Sequence, residues 1–477
     1  RRHLRADDDG GWRAFIWAPT LVLYAFALSA LMLIGMVGRQ SSEAVREWWS
    51  RLGAWLGIYG FVWMVIALAA VYGPKWAGVL LREGSWEHLY AAAGWLGTSL
   101  AGLLAGRSGA TGTSSDVNGG KSAGKRLLEI VAAVGPFVFI AGLLIGVSLA
   151  LHVVITNLTF MEEWSVATLH ASHWTYMQES IQAGQKTLWI VFGVLLCAVF
   201  IVGSRVDINE FSLNAFYRNR LSRCYLGATR FPAGERSPQK FTNFDENDDI
   251  GMTDLQGTHG PIHLVNCALN MGGSSDLALH TRHSRSFTIS PYFTGSSNAV
   301  PGSNDKGYRD TEKYSGKREP TLALAISVSG AAASPNMGYH TSPVVAFLLT
   351  VFNVRLGWWF PNPRESTFER ASPRMNLSYL LLELFGVADD KSDYLMISDG
   401  GHFENLAVYE LIRRRCGVII VSDAECDPNL QFEGLGSLIR MCRVDFGATI
   451  DIDVSDIRTK SNVKWSGSRC AVGTISY

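Results

Sequence analysis

Tyr394-Leu-Met-Ile-Ser-Asp-Gly-Gly-His-Phe-Glu-Asn-Leu-Ala-Val-Tyr-Glu-Leu411 decides how the second half of this chain is read. Its opening residues, 394–398, are an apolar run of the length of a buried strand, and 405–415 carries helical spacing. Between them lies a loop, 399–404, that begins with Asp399, Gly400 and Gly401. Asn405 suits the helix N-cap, and Arg413, Arg414 and Arg415 in the last turn complement the negative end of the helix dipole. Val-Ile-Ile-Val-Ser at 418–422 then reads as a second strand and completes a strand, helix, strand unit.

The same alternation extends outward. A helix is predicted at 377–385 on one side, and a helix at 435–442 with a strand at 448–453 on the other. Further upstream, 321–328 suits a buried strand, 330–338 with its Ser-Pro-Asn turn interrupts it, and 344–354 is helical again. Segments 230–254 and 295–320, rich in Gly, Ser, Asn and Asp, read as surface loops. The expectation for 205–477 is an α/β domain with a mainly parallel sheet and flanking helices. Ligands of such sheets bind beyond the carboxyl ends of the strands, where Asp399, Gly400 and Gly401 fall. Asp-Gly-Gly is also a common tight turn, so position alone leaves both readings open.

Residues 1–204 are of another kind. Twelve of the 15 tryptophans lie there among long uncharged runs, so the overall 48% hydrophobic and 18% charged composition averages two unlike halves. Crossing about 30 Å of hydrocarbon takes about 20 helical residues, and 14–37, 52–72, 130–155 and 187–203 meet that need. Trp12, Trp17, Trp48, Trp49, Trp55, Trp164 and Trp189 stand at their edges, as amphipathic rings do at the headgroup level. A fifth run, 89–104, contains Gly94, Gly97 and Gly102 and reads as a span, a re-entrant hairpin or an interfacial helix. With four spans, Arg1, Arg2, Arg5, Arg13, Lys75, Arg82, Arg107, Lys121, Lys125, Arg126 and Arg205 share the cytoplasmic side. The loop 157–185 holds Glu162, Glu163 and Glu179 without Lys or Arg and suits the outer face, while Arg39, Arg46 and Arg51 in the first outer loop run against the pattern. An even count returns the chain to its side of entry, which places 205–477 on the cytoplasmic face. The Gly/Ser-rich stretch 106–124 reads as a flexible linker.

Lys plus Arg and Asp plus Glu each total 42, so no net field favours nucleic acid. The seven cysteines form no C-x-x-C pair, which points to neither a zinc site nor a disulfide framework and suits a reducing compartment. No cleavable signal peptide is recognisable. Arg1 is not preceded by a methionine and 470–477 reads as a strand running to the last residue, so the polypeptide is expected to continue at both ends.

The quoted stretch, running on to Arg413-Arg-Arg-Cys416, resembles the strand, Asp-Gly-Gly loop and Asn-containing helix of patatin-like phospholipases. So does Ser327-Val-Ser-Gly-Ala-Ala-Ala-Ser-Pro335, which resembles a Ser/Ala-rich segment near their active site. The resemblance covers roughly 205–453 and leaves out the membrane half. It implies an acyl hydrolase of phospholipids or lysophospholipids that works at the lipid bilayer with a Ser–Asp dyad, needs no cofactor, and draws its base from Asp399, with Gly400 and Gly401 supporting the loop. In that family the serine lies in a Gly-x-Ser-x-Gly elbow and a glycine-rich loop forms the oxyanion hole. This chain has no such elbow: Gly97-Thr-Ser-Leu-Ala101 and Gly272-Gly-Ser-Ser-Asp276 both fail at the last position. Serine and oxyanion loop are therefore expected upstream of Arg1, with the spans inserted between serine and aspartate.

Other candidates carry rival readings. Ser329, His402 and Asn405 are candidate pocket residues, and Ser329 is otherwise, without an elbow, an isolated nucleophile. His402 assists proton transfer or is a hydrogen-bonded loop residue. Asp423, Glu425 and Asp427 alternate like a cation site but lack the loop pattern of one, and His259, His263, His280 and His283 read as surface residues, so no metal site is expected. An inactive patatin-like scaffold or lipid-binding module is the main alternative function. A transporter is the other, against which the near absence of charge within the spans argues. Nothing in the sequence sets an oligomeric state.

Overall fold

The computed structural model describes residues 10–37, 43–82, 123–160, 185–230, 234–241, 243–257, 260–274, 282–297, 307–316, 320–338, 341, 343–458 and 466–477. The described residues form two compact units, 10–82 with 126–199 and 123–125 with 200–477, so the end of the helix Gln185–Arg205 belongs to the second.

The first unit is helical. Among the described residues, four helices are long and apolar enough to cross a membrane: α1 (Gly10–Val37), α2 (Glu43–Arg82), α3 (Ala123–Phe160) and α4 (Gln185–Arg205). Each contains one of the four predicted spans, whereas 89–104 and 106–122 lie outside the described residues. Ile16, Ala67 and Val71 close the seam between α1 and α2, and Trp63 Nε1 donates to the Phe15 carbonyl at 3.3 Å across it. Ser148 Oγ of α3 donates to the Ala70 carbonyl at 3.0 Å, a polar link between α3 and α2.

The second unit begins with α5 (Leu213–Leu221), continued by a π-turn over Ser222–Leu226. There follow β1 (Val265–Asn270), β2 (Ser284–Ile289), β3 (Phe293–Gly295), β4 (Tyr308–Asp310), α6 (Leu322–Ser329), α7 (Pro343–Val351), β5 (Trp358–Pro361), α8 (Asn376–Leu384), β6 (Tyr394–Asp399), α9 (Tyr409–Arg413), α10 (Glu433–Phe446), β7 (Thr449–Ile452) and β8 (Gly473–Ser476). The six-stranded sheet has the order β4-β3-β2-β1-β6-β5, and every pair in it is antiparallel. The mainly parallel sheet expected from the sequence is thus corrected for the described residues. The physical reason is legible in β6. Leu395 and Ile397 pack into the cluster of Phe287, Phe360 and Tyr314 on one face, while Tyr394 and Met396 pack with Trp359 on the other. A strand covered on both faces reads as one continuous apolar run whatever the direction of its neighbours.

Two segments that suggested strand, helix, strand alternation lie outside this sheet. The predicted strand 321–328 is helix α6: Thr321 caps it by accepting from Leu324 N, Asp249 accepts from Ala323 N, and Leu322-Ala-Leu-Ala favours helix once both ends are satisfied. The predicted strand 418–422 has no regular secondary structure and pairs with no strand among the described residues, with Val418 84% and Ile420 92% exposed. The predicted helix at 405–415 shortens to α9, while those at 344–354, 377–385 and 435–442 appear as α7, α8 and α10. The strand at 448–453 appears as β7, paired antiparallel with β8 in a separate two-stranded sheet beside α10.

Candidate active site

Asp399 is the last residue of β6 and lies opposite Cys267 of β1, so its carboxylate leaves the sheet at a strand end. Its Oδ1 accepts the Gly401 N–H at 2.7 Å, which turns the chain sharply back. The side chain is half-buried, and burial raises the carboxyl's proton affinity above its ordinary value, partly offset by the Gly401 hydrogen bond. A carboxylate moved toward neutrality is better matched to accepting a proton at physiological pH.

Neither glycine is needed for a left-handed backbone, since both lie outside the positive-φ residues. They are needed for close approach. A Cβ at Gly400 would stand 2.7 Å from the Asn266 carbonyl oxygen, and one at Gly401 would stand 2.0 Å from Asn405 Oδ1. The first obstacle is backbone of a paired strand and the second is the end of a side chain. Gly400→Ala is therefore expected to destabilise the protein more than Gly401→Ala; equal melting temperatures for the two variants in detergent would contradict this geometry.

The Asn266 carbonyl lies between Gly400 and Ser329. Ser329, at the end of α6, donates its hydroxyl to that carbonyl at 2.7 Å and not to a carboxylate, so the geometry does not make it an activated nucleophile. Tyr217 of α5 completes the neighbourhood: a Cβ at Gly330 would lie 2.9 Å from its hydroxyl, and its phenol is pushed up by burial and then by the Asp399 charge. Cys267 is buried, and burial together with Asp399 holds its thiol strongly protonated, which removes it as a nucleophile. Tyr217, Asn266 and Cys267 belong to no local motif, and only the pairing of β1 with β6 and the packing of α5 and α6 bring them to Asp399.

His402 does not join this group. Side chains of Ser398 and Asp399 point to opposite faces of β6, and His402 sits on the Ser398 side. Asn270 Nδ2 donates to Ser398 Oγ at 2.8 Å, Ser398 Oγ and His402 Nδ1 are hydrogen-bonded at 2.8 Å, and Ser284 Oγ donates to the His402 carbonyl at 3.0 Å. The loop-histidine reading fits this buried residue. Asn405 is exposed and donates to Glu425 Oε1 at 2.5 Å rather than capping a helix. The cap comes from Glu404, only 8% exposed, whose carboxylate accepts from the N–H groups of Leu406, Val408 and Tyr409. Glu404→Ala is expected to leave these donors unmet, at a cost of about 1–3 kcal/mol, and to speed amide hydrogen exchange at Leu406, Val408 and Tyr409; unchanged exchange there would refute the cap.

Asp423 Oδ1 accepts from Glu425 N, and Asp427 Oδ2 accepts from Phe432 N, so these acids serve local turns. Among the described residues no group of three or more His, Cys, Asp or Glu side chains is arranged to hold a metal ion. His259 and His280 lie outside the described residues.

An open cavity of about 550 Å³ lies beside the loop, with Leu255, Pro261, Ile262, Leu264 and Leu411 as its apolar wall and His263, Asn266 and Glu410 as polar groups. Asn266 Oδ1 is buried there without a partner. Glu410 is fixed by Ser286 Oγ at 2.6 Å, by Arg413 Nε at 2.9 Å and by Arg414. A much smaller cavity touches Gly400, Phe403 and Glu404, and neither of the two is lined by Asp399.

Comparisons with family models, with curated proteins and with solved structures found no match to this chain.

Proposed function

We propose that this chain is the membrane-anchored, aspartate-bearing part of a lipid acyl hydrolase acting on phospholipids or lysophospholipids, with its second unit on the cytoplasmic face. The observation that carries the reading is a carboxylate at a strand end with raised proton affinity, held by a two-glycine turn that tolerates no side chain at its first position. In the proposed reaction a serine hydroxyl from outside residues 1–477 attacks the ester carbonyl as Asp399 takes its proton. The tetrahedral intermediate collapses with release of the alcohol, which receives that proton, and water then cleaves the acyl-enzyme by the same relay. Membrane spans suit a substrate that arrives by lateral diffusion in the bilayer. The test is ester hydrolysis by the full-length protein carrying Asp399→Asn, with membrane insertion checked in parallel.

A second reading, a patatin-like scaffold or lipid-binding module without catalysis, is favoured by the absence of Asp399 from the walls of both cavities. Full activity of the Asp399→Asn protein, or no activity in the wild type, would decide for it.

A further inference from the structure

Two apolar stripes of the second unit start where α4 ends. Gly203, in the last turn of α4, is buried so closely that a Cβ there would stand 2.8 Å from Leu377 Cβ of α8. Asn376 Oδ1 of the same helix accepts the Ile208 N–H at 3.0 Å, so α8 is fastened on both sides of Arg205. Leu377, Leu381 and Phe385 follow one another at four-residue intervals and form one stripe along α8 and its C-cap, and Leu381 and Phe385 are 44% and 62% exposed. The opposite side of α8 is fixed inward by buried Glu383.

The second stripe belongs to α5. Its inner side is set by buried Asn214, whose Nδ2 donates to the Leu356 carbonyl at 2.6 Å. Leu213, Phe216 and Arg220 therefore share the outer side, and the Arg220 guanidinium lies 4.4 Å from the Phe216 ring centre. Phe211, just ahead of the helix, is 65% exposed. Of the two acids in this stretch, Glu210 faces Arg218 at 3.7 Å and Asp207 Oδ1 accepts from the N–H groups of Asn209 and Glu210, while Arg205 and Arg220 are exposed cations.

We infer that these two stripes form a bilayer-contact surface, on which α5 and α8 rest in the headgroup layer of the membrane that α4 enters. The occupant follows from continuity and charge. An apolar surface fastened to the end of a membrane-crossing helix meets lipid first, and exposed aromatic and leucine side chains next to arginines suit an interface with anionic headgroups. This surface does not depend on hydrolase activity, so it stands or falls apart from the function proposed above.

The full chain, reconstituted in phosphatidylcholine nanodiscs with or without phosphatidylglycerol, provides the test. An environment-sensitive fluorescent amino acid is placed at Phe216 in one variant, at Phe385 in a second, and at Ile420, outside both stripes, in a third. Doxyl-labelled lipid is expected to quench the probes at 216 and 385 several-fold more than the probe at 420. Phosphatidylglycerol is expected to deepen the quenching at 216, and Arg220→Glu to cancel that gain. Quenching at 216 and 385 no stronger than at 420 overturns the inference. So does shielding of both probes that is independent of labelled lipid, which would mark a protein partner or a second copy. Because the probes sit on different helices, misfolding of one variant leaves the other to decide.

Discussion

Full-length protein carrying Asp399→Asn is expected to lose ester hydrolysis by about a hundred- to ten-thousandfold, the usual worth of a positioned general base, and yet to melt at a higher temperature at neutral pH. The second half follows from the environment of the carboxyl. Burial raises its folded-state pKa above that of the unfolded chain. Below the unfolded value both states hold the proton and the group has no effect on stability. As pH rises from the unfolded toward the folded value, the unfolded chain releases a proton that the folded one still holds, so stability falls through that window and stays lowered above it. Asparagine keeps an oxygen for the Gly401 N–H without a buried charge. In the wild type, activity is expected to drop as pH falls through the same raised value. Hydrolysis retained by the variant would end the assignment of Asp399 as base, and a melting temperature lowered at neutral pH would contradict the burial account separately.

Glu383→Ala is expected to produce the largest loss of stability in the second unit, about 3–5 kcal/mol, because it strands a buried cation. Arg355 is 2% exposed and Glu383 fully buried; the Arg355 Nε donates to Glu383 Oε1 at 2.9 Å, and Trp359 Nε1 donates to Oε2 at 3.2 Å. Arg355 also donates to the Ile208 carbonyl at 3.0 Å, so the pair joins α8 and β5 to the segment that follows α4. Replacing both partners, Arg355→Met with Glu383→Leu, is expected to restore most of the loss, since the apolar pair leaves no charge uncompensated. Denaturant melts of the three variants in detergent measure the effect, and a single Glu383→Ala change that costs less than the double replacement would show that the pair is not the linchpin of this packing.

The four helices long and apolar enough to cross a membrane were legible because length and apolarity alone define them, and α8, α10 and β6 because their patterns are long or bounded by clear turns. Strand direction was not legible in Tyr394-Leu-Met-Ile, since burial on both faces erases the alternation that marks an antiparallel strand. Leu322-Ala-Leu-Ala-Ile is equally silent, for a short run that is apolar on every side fits a buried helix as well as a strand; the deciding contact, Asp249 on the Ala323 N–H, is distant in sequence. Asn405 misled because Glu404, one residue earlier, reaches the same helix with a longer side chain. At the site, Asp399 and its glycines announced themselves by order in the chain. Tyr217 and Asn266 did not, because their proximity to Asp399 is created only by strand register and helix packing.

The unpaired stretch from Val418 to Val421 has a practical outcome for anyone producing this polypeptide. Four β-branched residues, in no strand pairing among the described residues and with Val418 and Ile420 turned to water, offer backbone groups and greasy side chains to any like strand that drifts by. Concentrated preparations should clump through this ribbon first, and a charged residue at Ile420 should keep them dispersed without touching the buried sheet.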